Sequence, residues 1–326
     1  MKIESDKIKS ILLVSLSNLG DIILTTPVLE RLREEFPGAV FDVMTGPAGE
    51  EVFSSHPAVR EVIVKKKRAS LGERLGEVRY LRGKRYDLAV DLKRTLLPYL
   101  AGAKYAVGAF SRRRKGESLH KKDEHLALLF AIGIEPQGEG RFFLPASEDD
   151  RSFARKIIPE GPGGVKVLIN PGAKSHLKRW DALKFASLSD RLVSELGAEV
   201  FISGNEDDTE VVRKFLDHAK EPVTDLVNKT TVGALAEVMR RISLVITNDS
   251  APLHVASAVG VPAIAIFGPS NEMKYGPLSK ESIVLKPDVP CRPCERALCA
   301  AGPDEGCISR VSVEEVLGAA RSILKK

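Results

Sequence analysis

Ile11-Leu12-Leu13-Val14-Ser15-Leu16-Ser17-Asn18-Leu19-Gly20-Asp21 opens as an apolar run and breaks into small and polar residues, after which Pro27 begins an amphipathic stretch reaching Phe36. A short Leu/Ile/Val run predicts a strand buried on both faces, the break predicts a loop, and the proline with apolar positions behind it predicts a helix. The unit recurs. Apolar runs at 40–44, 59–64 and 88–92 are followed or separated by helical patterns, and a second series occupies 165–170, 198–203, 244–247 and 263–267. Such alternation predicts parallel sheets covered on both faces, hence an α/β fold of two Rossmann-like domains. Pro159, Gly161, Pro162, Gly163 and Gly164 interrupt any regular pattern. The boundary is therefore expected in the charged, Pro/Gly-rich segment from about Pro145 to Gly164, giving domains 1–155 and 160–326. A last helix at 313–324 carries Val313, Val316, Leu317, Ala320 and Ile323 on one face. Two doubly wound domains in tandem are expected to turn the carboxyl ends of their sheets toward one cleft, where such sheets bind ligands.

The 326 residues, 43% of them hydrophobic, exceed what one core usually serves. No apolar run approaches the roughly 18 residues that span a bilayer. The opening Met1-Lys2-Ile3-Glu4 is unlike a secretory signal, so a cytoplasmic protein is expected. The four cysteines are confined to Cys291, Cys294, Cys299 and Cys307, one local feature rather than a disulfide framework. Cys291 and Cys294 have metal-like spacing and the second pair lacks it. Reduced structural thiols and a metal site both stand as readings. Between Arg60 and Lys122 there are 19 Lys or Arg against 6 Asp or Glu, a local +13 in a chain of net charge +5. A field so segregated concentrates anionic partners near one face.

Four segments fall at predicted carboxyl ends of strands. Asp21 follows the first strand and suits either a base for an acceptor hydroxyl or a helix N-cap. Asn170-Pro171-Gly172-Ala173-Lys174-Ser175, with Lys178-Arg179-Trp180-Asp181 behind it, offers small residues for close backbone approach and cations for a diphosphate. Trp180, the single tryptophan, reads as a packing anchor. Asn248-Asp249-Ser250-Ala251-Pro252-Leu253-His254 opens a second helix, with Asp249 or Ser250 suited to capping or to donor hydroxyls and phosphate. Ser203-Gly204-Asn205-Glu206 puts an acidic group where a ribose contact or a capping turn would lie.

Taken together, Gly20-Asp21-x5-Pro27, Asn170-Pro171-Gly172-Ala173 with Lys178-Arg179-Trp180, and Thr247-Asn248-Asp249-Ser250-x3-His254 with Pro262 and Phe267-Gly268-Pro269 resemble the family 9 glycosyltransferases, the heptosyltransferases of the lipopolysaccharide inner core. The resemblance runs nearly end to end. It implies a GT-B architecture and inverting transfer of a sugar, typically heptose from ADP-heptose, with no cofactor. It also implies Asp21 as catalytic aspartate, Lys178 as the phosphate-binding lysine and Asp249 as the donor-sugar aspartate, with Glu206 and Thr230 near the nucleoside. Gly172, Ala173, Lys174, Asn248, Ser250 and His254 complete the expected donor set. Ala251 stands where the family usually has glycine, and Lys174-Ser175-His176-Leu177 replaces a hydroxyl-rich or glycine-containing stretch.

The acceptor implied is an anionic glycolipid at the inner membrane surface. Lys65, Arg112, Arg113 and Arg114 are the expected contacts, from basic loops that also take in Lys66, Lys67, Arg68, Lys115, Lys121 and Lys122. The same loops suit anionic lipid. No metal is expected in catalysis, since fixed cations and helix starts are available for the leaving group. Two other readings share parts of this pattern. A sugar-nucleotide epimerase of GT-B type would need no acceptor field. A non-enzymatic nucleic-acid or anionic-polymer binder would explain the basic stretch, but aromatic residues are not interleaved with its charges, so no nucleic-acid partner is expected.

Overall fold

A computed structural model of the chain describes residues 3–66, 68–111, 120–135, 140–161, 163–296, 298–299, 302 and 306–325. It separates into two compact units, Met1–Pro145 and Ala146–Lys326. Both are α/β with wholly parallel sheets, consistent with the GT-B class of paired Rossmann-like domains.

In the first unit β1 (Ser10–Val14), β2 (Val40–Thr45), β3 (Val59–Val64), β4 (Leu88–Asp91) and β5 (Tyr105–Val107) lie in the order β3-β2-β1-β4-β5. Leu12, Val14, Met44, Leu81, Tyr86 and Ala89 bury together on the sheet. The Tyr86 hydroxyl donates to buried Asp42 at 2.7 Å, and Arg60 grips the same carboxylate with Nε at 2.9 Å and Nη2 at 2.7 Å. Arg60, first of the basic stretch, is thus a packing residue. The stretch after β1 is partly helical, Leu19–Ile23 preceding the expected amphipathic helix at Thr26–Glu35.

In the second unit β6 (Lys166–Asn170), β7 (Glu199–Ile202), β8 (Val223–Asp225), β9 (Leu244–Asn248), β10 (Ala263–Ile266) and β11 (Ile283–Leu285) take the order β11-β10-β9-β6-β7-β8. The helix Val313–Leu324 buries Val316, Leu317, Ala320 and Ile323 against this sheet's core, which also holds Trp180 and Phe185. The three strands that the hydrophobic pattern does not reveal, β5, β8 and β11, are edge strands of 3 residues each.

The division between units falls after Pro145, at the edge of the expected segment 145–164 and ahead of residue 155. The helix Glu148–Ile157 belongs to the second unit, where Thr231 donates to its Asp150 at 2.6 Å and Arg241 donates to the Ile158 carbonyl at 3.4 Å. Packing on the helix Val232–Met239 outweighs the Pro/Gly run, which only links this helix to β6. Among the described residues no helix is long and apolar enough to cross a membrane.

In each sheet the chain reverses its direction of travel once, between β1 and β4 in the first unit and between β6 and β9 in the second. Loops leaving adjacent strands in opposite directions open a crevice at such a point, and open α/β sheets bind ligands there.

Candidate active site

At the second unit's reversal the carboxyl ends of β6 and β9 are joined by their own side chains. Asn248, the last residue of β9, donates Nδ2 to the Pro171 carbonyl at 2.8 Å and accepts from the Trp180 amide at 3.0 Å. It is fully buried. Asn248, expected among the donor contacts, therefore has both ends of its amide engaged with the protein's backbone. Arg179 does similar work, its Nε donating to the Ala173 carbonyl at 2.6 Å. Trp180 is buried, stands edge-on to Phe185 and donates Nε1 to the Val311 carbonyl at 2.9 Å, a packing anchor as expected.

The consequence of this bracing is a pair. Lys178, in the turn His176–Lys178, donates Nζ to Asp249 at 2.6 Å. The lysine side chain keeps about a third of its surface exposed, while that of Asp249 keeps 4%. The Tyr275 ring lies 5.9 Å from the ammonium. Cation and carboxylate balance each other, and the exposed side of Lys178 offers its remaining donors to an arriving anion.

Gly172 serves a purpose that the sequence reading did not assign. A Cβ there would lie 2.1 Å from Asp208 Oδ1, so the space is filled by the chain's own buried carboxylate rather than kept open for phosphate. Burial pushes the Asp208 carboxyl up from its ordinary pKa, against the Asn205 amide and the Arg179 charge that favour its ionised form. Ala173 beside it is buried and Lys174 exposed.

Of the two expected helix starts, one is closed. The helix Ala182–Leu196 is capped by Asp181, which accepts from the Leu183 amide at 2.7 Å. The helix Ala251–Val259 begins at Ser250, whose side chain makes no capping hydrogen bond, so this residue leaves the first-turn amides to other acceptors. The Ser250 hydroxyl instead lies 3.2 Å from that of Thr247. His254 is buried on this helix. Glu206 is exposed just past β7, and Thr230 is half-buried just past β8.

In the first unit Asp21 is the third residue of the helix Leu19–Ile23, whose N-cap is Asn18. The capping alternative for Asp21 is thereby corrected. Its carboxylate instead accepts from Asn18 Nδ2 at 3.1 Å and remains partly exposed. His125 is buried close enough to feel Asp21. Burial, with Lys121 alongside, pushes that imidazole down to about 4, so it is neutral at pH 7 beside the aspartate.

The basic stretch is more internally paired than its count suggests. Lys66 pairs with Glu73 at 2.9 Å, Lys84 with Glu61 at 2.6 Å and Lys104 with Asp87 at 2.6 Å. Lys121 and Lys122 lie in the first turn of the helix Lys121–Ala127, not in a loop as expected, and Lys122 is buried. Lys65 directly follows β3 and lies 3.9 Å from Glu77. Arg112, Arg113, Arg114, Lys115 and Lys67 lie outside the described residues. Lys93 and Arg94, which sequence reasoning passed over, sit at the carboxyl end of β4, and only strand order connects them with Asp21.

All four cysteines are free thiols. Burial raises the Cys307 thiol, helped by the other three thiols and opposed by Arg292. Among the described residues no three His, Cys, Asp or Glu side chains converge as metal ligands.

Comparison with known proteins supplies a family. A model described as glycosyltransferase family 9 (heptosyltransferase) matches residues 74–304. The chain is similar to a lipopolysaccharide heptosyltransferase 3 of Escherichia coli, 28% identical over 290 residues that cover 81% of this chain and 85% of that one. Among solved structures it resembles a family 9 glycosyltransferase from Veillonella parvula at TM-score 0.81, with 26% identity and 97% of each chain covered. An Escherichia coli ADP-heptose lipopolysaccharide heptosyltransferase II shares the fold at TM-score 0.76, with 23% identity over 97% of this chain and 98% of that one.

Proposed function

The chain belongs to glycosyltransferase family 9, the heptosyltransferases, and from that premise we propose that it moves a heptosyl unit from ADP-heptose to an anionic acceptor of the lipopolysaccharide inner core. The observation that carries the reading is the Lys178–Asp249 pair at the reversal between β6 and β9, beside a helix start that the Ser250 side chain does not cap.

The second unit is the donor unit in this reading. Lys178 meets the diphosphate, whose negative charge grows as the bond to the sugar breaks, and amides at Ser250 and Ala251 add the helix dipole. Asp249 orients Lys178 and accepts from donor hydroxyls. Lys174 lies on the exposed loop above the diphosphate, and the backbone of Gly172 and Ala173 forms that loop's floor. Asn248 and His254 hold the surrounding framework, while Glu206 and Thr230 meet the nucleoside. The first unit takes the acceptor, with Lys65, Arg112, Arg113 and Arg114 as its anion contacts.

Transfer is a single displacement. The acceptor hydroxyl loses its proton to Asp21 as its oxygen bonds to the anomeric carbon, the bond from that carbon to the diphosphate breaks on the opposite face, and ADP leaves. The configuration inverts. Since Lys178 and the helix start meet the leaving charge, no divalent ion is required for this step. The enzyme works on the cytoplasmic side of the inner membrane, in peripheral contact with it.

The test is a donor panel with deacylated inner-core acceptor, read by mass spectrometry in excess EDTA. Transfer is expected from ADP-heptose and not from UDP- or GDP-sugars. In the same assay Asp21→Asn is expected to lower kcat about a hundredfold or more while donor affinity stays. Isomerised sugar nucleotide without acceptor would make the protein an epimerase instead, and activity lost in EDTA and restored by magnesium would overturn the cationic leaving-group site.

A further inference from the structure

Lys93 and Arg94 leave the sheet at the carboxyl end of β4, next to β1 and the Ser17–Asn18 turn that leads into the helix Leu19–Ile23, in the crevice that strand order predicts for a ligand. The parallel register brings Val14 of β1 beside Asp91 of β4, so the two loops start level. The turn is rigidly made. Buried Asp91 accepts from the Lys93 amide at 2.8 Å and the Thr95 amide at 2.9 Å, as well as from the Thr95 hydroxyl. Arg94 takes a left-handed backbone at φ 58. That conformation costs a side-chain-bearing residue energy, and the Asp91 bonds hold it.

So held, Lys93 crosses to the β1 loop, its Nζ donating to Ser17 Oγ at 2.9 Å. The side chain is half-buried, and no carboxylate forms an ion pair with it among the described residues. Instead burial, and then the charge of Lys65, push its ammonium below the ordinary lysine range, against a partial offset from Asp91. Arg94 adds a second unspent cationic donor. Its Nη2 donates to the Ser111 carbonyl at 2.9 Å, while Nη1 is buried and has no acceptor among the described residues. Ammonium groups brought together partly out of water, with Glu77 at 3.9 Å from Lys65 and Asp91 offsetting Lys93 only in part, cost free energy that an anion would recover.

Resting on the acceptor role given above to the first unit, we propose that Lys93, with Lys65 and Arg94, holds an anionic group of the acceptor beside Asp21 and so positions the hydroxyl that reacts. The group is a carboxylate or a phosphate monoester. Each offers oxygens that take several N–H donors at once. Lys93 is a positioning residue, since it touches the acceptor away from the bond that forms.

The test separates binding from turnover. Deacylated inner-core acceptor is titrated calorimetrically into the wild type and into Lys93→Gln without any donor, and kinetics follow with a saturating donor. Lys93→Gln is expected to weaken acceptor binding and raise the acceptor KM about tenfold, with kcat at saturation lowered as well and donor KM and melting temperature unchanged. Lys93→Arg should restore binding. Removing the acceptor's phosphates, or reducing its carboxyl groups to alcohols, identifies the anion, because on the acceptor lacking it the wild type and Lys93→Gln bind alike. Unchanged acceptor binding in Lys93→Gln overturns the proposal. So does a loss of donor affinity and melting temperature together, which would mark Lys93 as structural. Wild type that binds the acceptor but transfers nothing from ADP-heptose would count against the heptosyl reading and leave the binding comparison to judge Lys93.

Discussion

Lys178 and Asp249 stand 71 positions apart in sequence and 2.6 Å apart in space. An ion pair in which one partner is almost wholly buried contributes little net stability while intact, because desolvation offsets attraction, but breaking it strands the buried charge. Lys178→Ala therefore should act twice. It is expected to weaken ADP binding by about tenfold or more, by losing a charge-assisted contact, and to lower the melting temperature by leaving Asp249 unpaired. Lys178→Arg, which keeps the charge, should recover most of the stability. The measurement is ADP titration calorimetry beside a thermal melt, and an unchanged ADP affinity in Lys178→Ala would remove the lysine from the donor site.

At the scale of elements, the loop after β6 is held by contacts that the residue types alone do not announce. Asn248 reaches from β9 to the Pro171 carbonyl, Arg179 to the Ala173 carbonyl, and Asp208 fills the hollow over Gly172. A methyl at Gly172 would meet a carboxylate fixed by the Asn205 amide, and a contact at 2.1 Å forces either the loop or the turn at Glu206–Asp208 to move. Gly172→Ala is expected to destabilise by about 1–3 kcal/mol, the usual cost of overpacking. It should also weaken nucleotide binding, because the displaced loop leads to Lys178. Pairing it with Asp208→Gly should relieve the clash, so a double-mutant cycle in urea denaturation would show strong coupling. Additive effects would mean that Asp208 and the loop do not press on each other.

For the whole molecule, acid sensitivity follows from a group buried neutral. His125 titrates near 6.5 when unfolded and near 4 when folded. Between these values the unfolded chain takes a proton that the folded chain refuses, so stability is complete above about pH 6.5 and declines as pH falls toward 4. The full span corresponds to about 3 kcal/mol. Urea unfolding followed by circular dichroism should show a midpoint that falls over this window, and His125→Gln should flatten the fall. A variant with the wild-type pH slope would mean that His125 is protonated in the folded protein. Trp180, buried in the second unit, gives a separate fluorescence signal for that half of the chain.

Much of the architecture was legible because burial on both faces of a parallel sheet demands continuous apolar strands, and eight such runs stand out between residues 11 and 267. Edge strands of 3 residues carry no comparable signal, and β5, β8 and β11 went unread. The helix Glu148–Ile157 lies inside the expected boundary segment 145–164, and only packing assigns it to the second unit, because proline and glycine mark where a chain bends, not which core a helix joins. Among the residues proposed for the site, Asp21, Lys178 and Asp249 are visible as polar breaks at strand ends, and as motifs in order along the chain. What sequence alone determined is this local chemistry: strands, breaks and the types of side chain offered at them. What only the tertiary structure decided is which offers meet. The pairing of Lys178 with Asp249, the use of Asn248 as a brace, the filling of Gly172 by Asp208 and the approach of Lys93 to Ser17 all depend on strand order and register. Neighbours in a sheet are fixed by long-range pairing, and no spacing along the chain encodes them.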